Sequence, residues 1–349
     1  MRVVHIMLSK DLGGAEKSYI EIVNNLAQEN LKILAIGVEG GKAKQYFYEN
    51  RNILVKSIFC LNSYDYFALI QLLFKIKAFN PDLIHCHLAR ATKFGGIIGK
   101  ILSVPVVSKT HNLVNPKYYH NTSKIVVTTE AQRTHMLRHG FEQERLIKIP
   151  NFCSFDDKIT DQFRAKVKME QNSFVIKTLG RFVKKKGFDN LIKAIVDLRD
   201  KGGAVSLHIA GSGPEKVSLL KIINESKHND EIQLHEWIDD VRTFLSNADL
   251  FVLPSLDEPF GLVILDAMSA GVPILSTKTQ GPLEILSTET CYFLDAPNQV
   301  EIAKKIELII KDPLRFEKAA KAGQEFKAKY SAEAVVPLYH KLYKDILAY

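Results

Sequence analysis

Two acids, Glu258 and Asp266, stand in PSLDEPFGLVILDAMSAGVPILS (254–276), a stretch whose other residues have the apolar character of a buried α/β core. An unpaired buried carboxylate costs several kcal/mol or takes up a proton, so a compensating partner is expected for each. Glu258 falls in the loop SLDEPF after an apolar run, and Gly261 lets the backbone turn into a helix expected to begin near Phe260. Amides in the first turn of such a helix have no intrahelical acceptor. A carboxylate accepts two hydroxyl hydrogen bonds and a vicinal diol donates two, so this acid pair suits a polyhydroxylated ligand.

Cations of complementary chemistry occur upstream. In TLGRFVKKKGFDNL (178–191), Arg181 follows a strand pattern and Lys186 precedes Gly187 and a helix pattern. A planar fork and a point charge at the carboxyl end of one strand suit a diphosphate, while Lys184 and Lys185 are expected in solvent. LSKDLGGAEKS places Gly13 and Gly14 between a strand and a helix, where backbone amides can approach a ligand; the P-loop spacing is absent. HIAGSGPEK (208–216) offers Gly211 and Gly213 after a strand, but Lys216 stands where a dinucleotide fingerprint requires glycine, which disfavours an NAD-dependent oxidoreductase. His85 and His87 share one face of DLIHCH, and His111 ends SKTHNL; without a clear carboxylate or cysteine as fourth ligand, neutral histidines lining a cleft are expected and no metal. Phe94, Ile97, Ile98, Ile101 and Leu102, flanked by Arg90, Lys93 and Lys100, form a stripe that suits either a membrane surface or, preferably, core packing.

The elements that must carry these groups follow from hydrophobic periodicity. VVHIML (3–8), LKILAIGV (31–38), DLIHCH (82–87), VPVVSKTH (104–111) and KIVVTT (124–129) have strand character, with helical segments such as AEKSYIEIVNNLAQ (15–28) among them. Periodicity lapses around IPNFCSFDDKITD (149–161), the expected linker. A second series follows: FVIKTLG (174–180), VSLHIAG (205–211), EIQLHEW (231–237), LFVLPS (250–255) and PILST (273–277), with the helical FDNLIKAIVDLRDK (188–201). From about residue 315 to Tyr349 the chain has helical character and no further strand. This alternation predicts an α/β fold of two parallel-sheet domains facing each other across a cleft, residues 1–155 and 165–330, with 331–349 a helix crossing back to the first. Ligands of such sheets bind outside the carboxyl ends of the strands.

Composition agrees with this class. A chain of 349 residues suits two domains, and 46% hydrophobic with 25% charged residues excludes a disordered polymer. No apolar run reaches the roughly 18 residues of a spanning helix, and MRVVHIMLSK has no signal-peptide anatomy, so a cytoplasmic protein is expected. Cys60, Cys86, Cys153 and Cys291 are scattered without a CxxC pair, as in a reducing compartment. Residues 1–150 carry 20 Lys+Arg against 11 Asp+Glu, a net +9, whereas the remainder has 27 against 28, a net −1. That asymmetry fits an anionic partner such as nucleic acid, an acidic substrate or an anionic membrane, or else simply solvated lysines.

In chain order, GGAE, GRFVKKKG, HIAGSGP and PSLDEPFGLVILDAMSAGVPILS together resemble the family 4 retaining glycosyltransferases over nearly the whole chain. The resemblance implies the GT-B fold of two Rossmann-like domains. Its E-x7-E signature falls on Glu258 and Asp266, the first for the donor sugar's hydroxyls and the second, here Asp instead of Glu, for the ribose. Arg181 and Lys186 match the pair on the donor diphosphate, which neutralises leaving-group charge without a metal. Amides of Phe260, Gly261 and Leu262 would bind sugar or phosphate oxygens, Gly14 would lie beside the diphosphate, and His111 near the reacting end of the sugar. Trp237 and Ile238 match the place where the family meets the base. The implied reaction takes a UDP- or GDP-sugar as substrate, with no cofactor and no nucleic acid, and transfers the sugar with retention to a glycan or lipid-linked acceptor. Such a role in polysaccharide or lipopolysaccharide biosynthesis would set the basic first domain against an anionic acceptor or the inner face of the cell membrane. Two rivals share the architecture: a nucleotide-sugar 2-epimerase, and a non-catalytic sugar-nucleotide sensor.

Overall fold

Parallel strands buried on both faces require near-continuous apolar runs, and the runs of the N-terminal half build one sheet. In the computed structural model, which describes residues 1–154 and 173–348, its strands are β1 (Arg2–Met7), β2 (Lys32–Val38), β3 (Ile53–Ile58), β4 (Leu83–His87), β5 (Val106–Lys109), β6 (Lys124–Val127) and β7 (Leu146–Lys148). They pair in parallel in the order β3-β2-β1-β4-β5-β6-β7, with His5 in register with His85. A second parallel sheet holds β8 (Phe174–Leu179), β9 (Val205–Ala210), β10 (Ile232–His235), β11 (Leu250–Leu253), β12 (Ile274–Thr277) and β13 (Tyr292–Leu294), in the order β10-β9-β8-β11-β12-β13. Both are doubly wound Rossmann-like sheets whose strand order reverses beside the first strand, between β1 and β4 and between β8 and β11.

The chain divides into two compact units. The first is Met1–Ser154 with the C-terminal segment from Tyr330; the second runs to Lys329 and is described from Ser173. Residues 155–161 of the expected linker, and the expected domain limits at 155 and 165, lie outside the described residues. The C-terminal helical stretch is two helices, Arg315–Lys329 and Ala332–Leu347. The break falls at Ser331, whose hydroxyl caps the second helix by accepting from the Ala334 amide at 3.3 Å. That helix packs beside Gly14–Gln28, and Val335, Tyr339 and Tyr343 enter the core of the first unit.

On the opposite side of the first sheet lie the helices Tyr66–Phe79 and Leu88–Leu102. Leu88–Leu102 approaches the sheet so closely that a methyl group on Gly95 or Gly99 would overlap Cys86 or Val106. Phe94 and Ile98 are buried there, Ile97 and Leu102 half-buried, and only Ile101 of the stripe is exposed. The membrane alternative for that stripe is therefore wrong. Its apolar residues are core, and burying a side chain such as Phe94 stabilises by about 1.5–3 kcal/mol. No described helix is long and apolar enough to cross a membrane.

Candidate active site

The cations and acids of the second half converge on the switch point between β8 and β11. Leaving β8, the chain passes Gly180 and the exposed Arg181, turns at Lys184–Lys186, and enters the helix Phe188–Asp200 through Gly187 at φ +66°. Leaving β11, it enters the helix Leu262–Ser269 through Gly261 at φ +94°, two residues later than the sequence suggested. Glycine tolerates such angles without strain. The two loops touch. The Leu256 amide donates to the Lys185 carbonyl at 2.8 Å, and any side chain on Gly187 would strike the Pro254 carbonyl.

This contact supplies the partner Glu258 required. The Lys186 ammonium donates to the Glu258 carboxylate, and the two side chains retain only 15% and 10% exposure. From behind, the Gly281 amide donates to the Glu258 carbonyl at 2.9 Å and the Thr277 hydroxyl to the Ser255 carbonyl at 2.7 Å. The acid is thus held rigidly within the loop. Asp266 lies on the less buried face of its helix with Leu262 and Val263, while Ile264, Leu265, Ala267 and Met268 are buried. Leu262 opens the helix behind Phe260 and Gly261, so amides of its first turn sit beside the loop of Glu258.

Further along the same carboxyl edge, Gly211 follows β9 at φ +150°, where a side chain would collide with the Gly180 carbonyl. Its smallness lets the turn of Arg181 pass over it. Trp237 and Ile238 follow β10, and the indole Nε1 donates to an Asp239 carboxylate oxygen at 3.0 Å. One edge of one sheet therefore carries, from β10 to β11, an aromatic ring, a glycine turn, two cations and an acid, with a second acid on the adjoining helix.

Gly14 and His111 belong to the first unit. Gly14 is the first residue of Gly14–Gln28, but the Gly13 amide donates to the Glu16 carboxylate at 2.9 Å, so one amide expected to face a ligand is already bonded. His111 lies two residues past β5 with its Nε2 buried and, among the described residues, without a hydrogen-bond partner. Burial, with the nearby Lys109, holds its pKa well below the ordinary value, which keeps the imidazole neutral.

A buried polar cluster adjoins it. His5 Nδ1 lies 3.2 Å from His87 Nε2, His85 Nδ1 2.6 Å from the Tyr343 hydroxyl, and Lys109 Nζ 2.7 Å from the Tyr339 hydroxyl. Burial lowers the pKa of His5 to about 3 and of Lys109 to about 7. Sequence reasoning missed His5, Lys109 and both tyrosines as members. Ligand atoms of His5, His85 and His87 lie within 4.8 Å of one another, yet no carboxylate or thiolate stands in that group. Burial above all, and then the neighbouring histidines and Lys109, depress the proton affinity of His85 and His87. A cation placed there would meet the same Lys109 charge.

Two family descriptions match the sequence in tandem: "Glycosyltransferase Family 4" over residues 12–156 and "Glycosyl transferases group 1" over residues 159–328. The chain belongs to the family 4 glycosyltransferases of the GT-B fold. Among relatives of this glycosyltransferase, the lipopolysaccharide core biosynthesis glycosyltransferase LpsE of Rhizobium meliloti is 28% identical over 98% of each chain. The capsular polysaccharide biosynthesis glycosyltransferase CapM of Staphylococcus aureus is 27% identical over 64% of this chain and 59% of its own. Among solved structures, Anabaena HepE in complex with UDP superposes with a TM-score of 0.84 at 20% identity, covering 99% of this chain and 100% of that one.

Proposed function

We propose that this glycosyltransferase moves a sugar from a UDP- or GDP-sugar to a glycan or lipid-linked acceptor, with retention of anomeric configuration and without a metal. The observation that carries the reading is the Lys186–Glu258 pair at the switch point, with Arg181 before it and Asp266 after it. Arg181 and Lys186 bind the donor diphosphate and stabilise the charge that develops as it leaves, the role otherwise taken by a divalent ion. Glu258, released in part from Lys186 as the phosphate arrives, accepts hydrogen bonds from the sugar hydroxyls. Asp266 holds the ribose, amides of Phe260, Gly261 and Leu262 bind phosphate or sugar oxygens, and Trp237 and Ile238 lie against the base. Gly211 shapes the turn beneath the diphosphate, and Gly14 lies beside it.

His111, held neutral, positions the reacting end of the sugar. The displacement proceeds on one face: the glycosidic bond to the diphosphate breaks, an oxocarbenium-like carbon forms, and the acceptor hydroxyl adds from the same side while the departing phosphate takes its proton. The similarity to LpsE and CapM favours a cell-surface polysaccharide, lipopolysaccharide core included, as the pathway. UDP in the HepE complex favours a nucleotide-sugar donor. The first unit's net charge of +9, unchanged by the two cations and two acids of residues 330–349, favours an anionic acceptor or the inner face of the cell membrane.

The test is turnover of a nucleotide-sugar panel in the presence of a chelator, with the anomeric configuration of the product read by NMR. The reading expects undiminished turnover and an unchanged anomer. An inverted product, or activity abolished by chelation, would refute it.

A further inference from the structure

The first unit presents an aromatic face that its own core leaves uncovered. On the helix Tyr66–Phe79, Ala68, Leu72 and Ile76 point into the core, while Tyr66, Phe67, Ile70 and Phe74 are 74%, 80%, 49% and 68% exposed. At about 100° per residue those four span an arc of about 100°, and Lys77 falls inside it. The loop before the helix extends the surface with Leu61 and Tyr64, both about two-thirds exposed. A contiguous apolar patch of this kind marks an interaction site more often than chance exposure.

Its surroundings are cationic. Lys93 Nζ sits 3.7 Å above the Tyr64 ring and donates to the Ser63 carbonyl at 2.7 Å. Lys75 and Lys77 extend from the helix itself, and residues 66–124 contain seven Lys+Arg besides the buried Lys109, against a single acid, Asp82, which accepts from the Arg2 amide at 2.7 Å. The nearby Asp65 is engaged as the helix cap, accepting from the Ala68 amide at 3.0 Å. Leu61 and Ser63 also line a cavity of about 790 Å³ in the same unit, whose wall includes Arg90 and Lys10.

We propose that this face docks the first unit on an anionic lipid bilayer. Phe67, Ile70 and Phe74 enter the boundary between headgroups and acyl chains, and the lysines meet lipid phosphates. Docking sets the cavity bounded by Leu61 and Ser63 at the membrane surface, where a lipid-borne acceptor resides. The inference rests on the membrane partner proposed above and assigns it a surface. A second copy of the chain is the poorer occupant, because it would set one cationic rim against another.

Co-sedimentation with vesicles tests this. The wild-type protein is expected to bind vesicles of equal parts phosphatidylcholine and phosphatidylglycerol, to bind phosphatidylcholine alone more weakly, and to lose the difference at high salt. Phe67→Gln with Phe74→Gln should weaken binding about tenfold or more. Lys75→Gln with Lys77→Gln should reduce the preference for the anionic vesicles. Both pairs are to be made in the full chain, and unaltered melting temperatures exclude misfolding. A wild-type protein that ignores anionic vesicles overturns the membrane partner altogether. Wild-type binding that both variants retain overturns this face alone, as does a dimer that the aromatic variant splits while vesicle binding persists.

Discussion

Replacing Lys186 by Met removes the charge that Glu258 faces while keeping most of the unbranched stem that packs beside it. Breaking a buried ion pair by removing one partner costs about 3–5 kcal/mol, mainly because the surviving charge stays desolvated. With 15% and 10% of the two side chains still exposed, the lower end of that range applies. In a unit of this size each kcal/mol moves the midpoint by about 2–4 °C, so Lys186→Met should lower the melting of the second unit by about 6–12 °C. Glu258→Gln combined with Lys186→Met should recover part of the loss, giving a coupling energy of about 2 kcal/mol in the double-mutant cycle. The single tryptophan, Trp237, lies in the second unit, so its fluorescence during denaturant unfolding follows the relevant transition. A Lys186→Met cost below about 0.5 kcal/mol, or strict additivity of the two changes, would refute the claim that the pair compensates a buried acid.

The remaining predictions concern the buried cluster and the loop contact. His5 has a folded pKa of about 3, and those of His85, His87 and His111 are also depressed by burial, so the unfolded state binds more protons as pH falls below about 6.5. Stability should therefore fall toward pH 3, by about 1.4 kcal/mol per pH unit for each neutral histidine, and His85→Phe should flatten the slope in denaturant titrations. Lys109, at about 7 when folded, is likewise depressed. Its contribution should rise as pH increases from about 7 toward 10, and Lys109→Met should abolish that alkaline gain in the same titrations. Gly187→Ala, at φ +66° against the Pro254 carbonyl, should destabilise by about 1–3 kcal/mol and slow transfer by displacing the Glu258 loop. Thermal melts and turnover assays check both effects.

Much of the scaffold was legible because parallel strands buried on both faces leave long apolar runs, and the groups expected to do chemistry follow those runs. Edge elements were harder. β3 alternates half-buried and exposed residues, and β7 and β13 have three residues each, too few for a periodic signal. The Lys186–Glu258 contact was not visible as a pair. Only the order β8-β11 makes neighbours of loops separated by 72 positions. His5 is a single histidine in an apolar strand, and only the strand register places it beside His85. The stripe at residues 94–102 showed the periodicity that either core or membrane would require, and burial decided for core. YFALIQLLFKIKAF is apolar nearly all round, so its sequence does not declare which side faces out; contact with the sheet does.

Affinity for a donor most directly tests the claim that this site holds a nucleotide sugar. Arg181 is exposed, so Arg181→Met should leave the melting temperature unaltered and report ligand contact alone. Calorimetric titration with UDP- and GDP-sugars should yield at least one that binds the wild-type protein and binds Arg181→Met about ten- to a hundredfold more weakly, as expected for loss of a charge-assisted hydrogen bond. Failure of every such sugar to bind, or equal affinity in the variant, would contradict it.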